Sequence, residues 1–402
     1  MTPAAESFLA LLAAALQGKH LALELPEAQW RAVFALAYEQ KLLPYLLEAA
    51  TRAPEGEDPT CFAPYRQIAR QQVVTQAARN IEFSRLYRHL RQLGLHPLVV
   101  KGRMCDRLYP LAAHRITADD DLFLPDGEVE PCHRALVQWG LAPQFRPEEL
   151  PRAEELSYKD ERLYLEVHRA LFETEASPGR EWNGLFDRAH EAPVEIDGML
   201  TLPPQTHLLY LLLHACKHFA ISGVGIRQTC DMALWVREYA GQIRWDGLTA
   251  ELEQAHAMGF AAAQLALAER YLGLELPIPA AWRARAADPE PMLLDMLDGG
   301  VYGSASLARL HSGTVTRNAL RASREGKRAG VLQSVFPKAA DLTGSYPYLR
   351  KHPGLLPLAW ASRILHYAGE RPRRQDGGAA ESVRLGRARI ELLKKYQILA
   401  EE

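Results

Sequence analysis

"HRITADDDLFLP", residues 114–125, sets three aspartates in a row inside an otherwise apolar stretch. A carboxylate is costly to bury unless something pairs with it or coordinates it. The residues 119–124 read as a strand, closed by the "PDG" turn that follows. Side chains two apart on a strand share a face. Asp119 and Asp121 therefore point one way, and Asp120 points the other way with Leu122 and Leu124. Two carboxylates about 7 Å apart on one face repel unless a cation sits between them. Mg²⁺, or Mn²⁺ in its place, takes oxygen ligands and prefers one or two carboxylates plus substrate phosphates over a full protein cage. The competing reading is an edge strand with solvated aspartates.

Upstream, "LHPLVV" (95–100) is a short β-branched run that passes through Lys101-Gly102 into the short helix "GRMCDRLYP", ended by Pro110. Gly102 lets backbone approach a ligand closely. The new helix presents free N–H groups to an anion. Lys101 adds a point charge suited to a triphosphate, and Arg115 is placed to neutralise charge that develops on a phosphate. No GxxxxGK[ST] occurs and no GxGxxG follows a strand, which excludes a P-loop ATPase and a dinucleotide fold.

Downstream, "VEPCHRALVQWG" reads as a helix with Gly140 as its C-cap. "ERLYLEVHRAL" (161–171) alternates strictly, with Leu163, Leu165 and Val167 on one face and Tyr164, Glu166 and His168 on the other. Glu166 is the natural third carboxylate of a two-metal site, which would clamp the attacking and leaving oxygens of a phosphoryl displacement. His168 shares its face. "PVEIDGMLTLPP" (193–204) reads as an edge strand ended by prolines.

Helices are expected at 5–17, 27–50 and 64–93, and almost everything after 205 reads helical, with loops near 275–282 and 371–380. The expected class is α+β: a helical segment over 1–93, a small mixed sheet over 94–204 and a helical domain over 205–402. His214 and His218 share a helix face without a clear third zinc ligand or an HExxH pattern, so they are read as facing the sheet or touching phosphate. Arg227 and Asp231, at i and i+4, form either a helix ion pair or a positioning pair for base or phosphates.

The 402 residues carry 48% apolar and 24% charged side chains, values of a globular protein, with no apolar run long enough for a bilayer. Five scattered cysteines without a CxxC suit free thiols in a reducing cytoplasm. Residues 301–402 hold 18 Lys/Arg against 8 Asp/Glu, a balance of +10, and the remainder carries −12. That asymmetry can attract an anionic partner, but the slightly acidic chain as a whole argues against nucleic acid.

"LVVKGRMCDRLYP…HRITADDDLFL" resembles the uncharacterised-type nucleotidyltransferase family, a branch of the DNA polymerase β-like superfamily. Lys101-Gly102, Tyr109-Pro110, Arg115, Asp119 and Asp121 match its pattern, and "YLEVHRAL" looks like its next strand. "HLLYLLLHACKHFAISGVGIRQTCDMALWV" is similar to its helical signature, with His214, His218, Arg227 and Asp231. The tail "SYPYLRKHPGLLPLAWASRI" and the final "ELLKKYQIL" also resemble the family's C-terminus. Two features depart from the wider pattern: Lys-Gly-Arg stands where Gly-Ser is usual, and Asp120 stands where an apolar residue is usual. A carboxylate on that buried face needs a partner.

The resemblance implies a metal-dependent transfer of a nucleoside monophosphate from an NTP donor to an acceptor hydroxyl or phosphate. Asp119 and Asp121 would bind the metals and Glu166 would complete the acceptor-side ion. Lys101 and Arg115 would hold the triphosphate. The acceptor stays open among a small molecule, a peptide and a sugar phosphate. The rivals are a glycosyl- or phospho-transferase with a nucleotide-linked donor, and a degenerate nucleotide- or partner-binding protein.

Overall fold

The computed structural model describes residues 1–51, 60–174, 179–300, 346–369 and 379–399, with six positions between 313 and 342. Four helices come first: α1 (Pro3–Leu16), α2 (Glu27–Glu39), α3 (Leu43–Ala49) and α4 (Phe62–Gln92). The two-residue strands β1 (Leu21–Ala22) and β2 (Ala50–Thr51) pair in parallel beside them. The single helix expected over 27–50 is two helices. Lys41 takes φ 56°, a conformation through which a right-handed helix cannot run, and Pro44 opens the next one.

The central sheet is five-stranded and mixed. Strands β3 (Leu98–Val100), β4 (Asp120–Phe123), β5 (Ala142–Pro143), β6 (Glu155–Lys159) and β7 (Tyr164–His168) lie in the order β3-β4-β7-β6-β5. Only β4 and β7 run parallel, and their register sets Asp121 beside Glu166 and Asp120 beside Leu165. Strand β6 was not anticipated from "ELSYK". Leu156 and Tyr158 are buried while Glu155 and Lys159 are exposed, a period-2 pattern too short and too polar to stand out. The α5 turn (Gly102–Asp106) follows β3, and α6 (Asp126–Trp139) follows β4, ending at Gly140 in the left-handed region as expected.

After α7 (Gly179–Gly184), the expected edge strand over 193–204 is a self-paired hairpin of β8 (Val194–Ile196) and β9 (Met199–Thr201). Asp197 and Gly198 both take positive φ, 50° and 76°, which suits a two-residue hairpin turn and pairs the two halves with each other instead of with the sheet. Helices α8 (Pro204–Ile221), α9 (Ile226–Tyr239), α10 (Trp245–Gln254) and α11 (Met258–Leu272) follow. Then come α12 (Ala280–Arg285), which occupies part of the expected 275–282 loop, and α13 (Glu290–Gly299). Helices α14 (Leu356–Gly369) and α15 (Ala379–Lys395) lie near the C-terminus, and the expected loop at 371–380 falls, for 371–378, outside the described residues. This is an α+β architecture.

One contiguous apolar cluster runs from Ala5 through the sheet to Leu399. All five cysteines are buried and none is in a disulfide. Among the described residues no helix is long and apolar enough to cross a membrane.

Candidate active site

The site begins where β3 ends. Lys101 takes φ 56° and ψ −123°, a backbone conformation that L residues rarely adopt and that persists only when its surroundings hold it. A buried chain of hydrogen bonds does so. The Lys101 N–H donates to His207 Nε2 at 3.3 Å, His207 Nδ1 lies 3.1 Å from Thr201 Oγ1, and that hydroxyl donates to the Val99 carbonyl at 2.6 Å. Nε2 accepts, so Nδ1 carries the proton and donates to Thr201. Burial pulls the His207 imidazole down to about 3, which keeps it neutral and able to accept. Neither His207 nor Thr201 stood out in the sequence. Gly102, next in line, has no room for a side chain without crowding: a Cβ there would lie 3.1 Å from Thr117 Cγ2 and 3.5 Å from Arg115 Nη1.

The carboxylates converge because β4 and β7 are parallel and in register. Ligand atoms of Asp121, Glu166 and His168 all lie within 4.8 Å of one another. His168 Nε2 is 2.9 Å from Asp121 Oδ1, and Lys101 Nζ is 2.6 Å from the same oxygen. Burial alone would raise the Asp121 carboxyl, but the Lys101 charge and the His168 hydrogen bond overcome it and hold it at about 2. Glu166 goes the other way: burial first, then the charges of Asp121 and Glu155, push it up to about 8. Burial works against the Lys101 ammonium, yet Asp121 and its neighbours hold its pKa well above the usual value. Asp119 precedes β4, is half-buried and lines the same cavity, outside the close group of three.

Asp120 lies on the opposite face, as the alternation required. Its Oδ2 accepts from Arg79 Nε of α4 at 2.8 Å. Arg79 also donates to the carbonyls of Thr117, Ala118 and Tyr164, so one guanidinium ties α4 to both strands of the site. Burial still raises the Asp120 carboxyl to about 6 against the pull of Arg79.

Arg115 differs from expectation. Its Nε and Nη2 lie 2.7 and 2.6 Å from the two oxygens of Asp231, and Tyr109 donates to Asp231 at 2.7 Å. It is therefore half of a buried ion pair, not a free cation, because α9 delivers a carboxylate to it. The i, i+4 pairing of Arg227 with Asp231 is correspondingly not formed; Arg227 Nη1 donates to the Ile116 carbonyl instead.

Lys101, Gly102, Arg115, Asp119, Asp121, Glu166, His168, His214, His218 and Arg227, the full set expected from sequence, line one cavity of about 340 Å³. Its volume is in the range of a small-ligand pocket. His214 and His218 lie side by side on α8, ring centroids 4.5 Å apart, both kept neutral by burial and by the Lys101 charge. Sequence reasoning missed Glu155, Glu173, Tyr210 and Lys217, which line the same cavity. Their only signal was position: two lie on or beside strands, and two lie on the helix face of His214.

These residues fit a hard divalent ion. Two carboxylates and an imidazole lie within reach of one centre, and the Glu166 carboxyl, raised by burial first and by the charges of Asp121 and Glu155 next, is one whose ionised form a cation would favour. A sequence model described as "Uncharacterised nucleotidyltransferase" matches residues 26–273. No curated protein matches the chain. The match covers more than half the chain, and the protein belongs to this uncharacterised nucleotidyltransferase family.

Proposed function

Given this membership, we propose that the protein is a metal-dependent nucleotidyltransferase that moves a nucleoside monophosphate from an NTP to an acceptor hydroxyl or phosphate. The observation that carries the reading is the adjacency of Asp121 and Glu166 on parallel strands, with His168 beside them and Lys101 at the end of the neighbouring strand. Asp121, Glu166 and Asp119 would hold Mg²⁺ or Mn²⁺. The ion, when bound, supplies positive charge that polarises the α-phosphate and eases deprotonation of the acceptor.

Glu166, beside Asp121 across the parallel strands, would accept the acceptor's proton in its ionised form. The acceptor oxygen bonds to the α-phosphorus as the bond to the bridging oxygen breaks, and the electron pair leaves with pyrophosphate. Lys101 gives a point charge to the phosphates, and the strained turn that carries it fixes where that charge sits. His168, hydrogen-bonded to Asp121, orients that carboxylate.

The test is thermal unfolding of wild type and Asp121→Asn with each of the four NTPs, with and without Mg²⁺, followed by transfer of an α-labelled phosphate. A ligand that binds only the folded state raises the melting temperature. A Mg²⁺-dependent rise for one NTP, absent in the variant, supports the reading. A rise only with nucleotide-sugars would replace it with a glycosyl- or sugar-phosphate transferase, and no rise with either would leave a degenerate scaffold.

A further inference from the structure

We propose that Thr117 is a positioning residue that sets the distance between the two halves of the site, the Lys101-Gly102 turn and the segment of Asp119 and Asp121, at the spacing a metal-bound nucleotide spans. The proposal rests on the nucleotidyltransferase reading and adds residues to it that sequence reasoning passed over. In "HRITADDD" Thr117 reads as a loop residue, and Gln76, which holds it, as one polar position among many on a long helix.

Gln76 is buried on α4, and a buried carboxamide is costly unless its groups are paired. Its Oε1 accepts from the Thr117 N–H at 2.8 Å, and its Nε2 donates to the Thr117 hydroxyl at 3.0 Å and to Asn80 Oδ1 at 2.8 Å. One side chain therefore holds both the backbone and the hydroxyl of Thr117. Staggering leaves that hydroxyl three positions, and its bond to Gln76 selects one of them. The methyl group is fixed with it. That methyl lies where a side chain of Gly102 would stand: a Cβ there would be 3.1 Å from Thr117 Cγ2 and 3.8 Å from the Asp119 carbonyl oxygen.

The segment around Thr117 is held on both flanks. Arg79 of α4 donates to the carbonyls of Thr117 and Ala118 and to the Asp120 carboxylate, and Arg227 of α9 donates to the Ile116 carbonyl. The turn on the other side is held by His207 through the Lys101 N–H. Two separately anchored loops thus meet where the Thr117 methyl faces Gly102, and both residues line the cavity. The hydroxyl alone would suffice to tie the segment to α4; the methyl is what reaches the turn. A nucleotide held through a metal on the carboxylate side and through Lys101 on the other spans this gap, and its binding is sensitive to a small misplacement of either half. A metal ion alone, held by the carboxylates, does not span it.

Two substitutions separate the methyl from the hydroxyl. Thr117→Ser keeps the hydroxyl and removes the methyl, whereas Thr117→Val keeps the methyl and removes the hydroxyl. Calorimetry with Mg²⁺ and each of the four NTPs should show affinity about tenfold lower in Thr117→Ser, for every NTP that wild type binds, and close to wild type in Thr117→Val. Mn²⁺ alone should bind both variants as it binds wild type. Thr117→Val should instead melt lower, because Gln76 Nε2 loses an acceptor. Gly102→Ala should also lower NTP affinity, and adding Thr117→Ser to it should restore part of the loss, since serine vacates the space that the new methyl needs. Unchanged NTP affinity in Thr117→Ser overturns the proposal, as does a loss in Thr117→Val that equals or exceeds it, which would make the residue a structural tie only. Losses that simply add in the double variant overturn it as well. So does weaker Mn²⁺ binding by Thr117→Ser, which would mean that Thr117 acts on the carboxylates and not on the spacing. Each of these leaves the enzyme reading intact. If wild type binds no NTP with Mg²⁺, the nucleotidyltransferase reading falls, and this proposal falls with it.

Discussion

Arg79 Nε lies 2.8 Å from Asp120 Oδ2, with the two side chains only 9% and 1% exposed, and this pair explains why a third aspartate interrupts a buried strand. The carboxylate on the core face is not a ligand. It anchors the long helix α4 to the back of the strand that carries Asp121. Removing one partner of a buried pair leaves an uncompensated charge, so Asp120→Leu should lose about 3–5 kcal/mol of stability, measured by urea unfolding. The folded variant should still bind Mn²⁺. If Asp120→Leu abolishes Mn²⁺ binding while Asp121→Asn does not, the assignment of faces is wrong by one residue.

Lys101 Nζ sits 2.6 Å from Asp121 Oδ1, so it would compete with the proposed divalent cation for that oxygen. Lys101→Met should therefore raise Mn²⁺ affinity in the absence of nucleotide, and lower NTP affinity at least tenfold. Calorimetric titration of each ligand separates the two effects. A fall in both would mean that the lysine builds the site instead of competing for it.

His207 predicts a pH dependence. Its folded pKa is about 3, against 6.5 for an unperturbed imidazole. Between those values the unfolded chain takes up a proton that the folded protein refuses. This contribution to stability is complete above pH 6.5 and is lost as pH falls toward 3, by up to about 5 kcal/mol. His207→Leu should remove this part of the acid limb, although His214 and His218 add their own. Unfolding curves from pH 7 to 4 on both proteins check this. The variant should also bind NTP more weakly, because Lys101 loses the acceptor that holds its backbone.

Glu166 runs in the opposite sense. Its folded pKa of about 8 lies above the usual 4.5, so the folded protein holds a proton that the unfolded chain gives up between those values. Stability from this group is present below pH 4.5 and is lost as pH rises through 8. Glu166→Gln should then melt higher than wild type at pH 8.5 without divalent ions, and should transfer no nucleotide. A variant that melts lower at that pH would show that the carboxylates are not crowded.

Much of this site was legible because strand alternation is local. The period of two placed Asp119 and Asp121 on one face and Asp120 on the other, and the same rule put Glu166 and His168 together. The run from β-branched residues into Lys-Gly marked the turn. Local rules failed where a single backbone angle decided the outcome, as at Lys41, where one positive φ splits a helix that periodicity made continuous. They failed again at Glu155–Lys159, where a short strand is mostly polar.

The amino-acid sequence by itself determined the α+β class, the strand that carries the aspartates, and many of the residues that line the cavity. Each follows from the covalent neighbours of a residue and the period of its element. Only the tertiary structure decided which charge meets which. Arg79 finds Asp120 across 41 residues, and Arg115 takes Asp231 across 116. The Lys101 turn is held by a histidine 106 residues away. Such pairings depend on how helices close over the sheet and exclude water, since an ion pair acquires its full energetic weight only once it is buried.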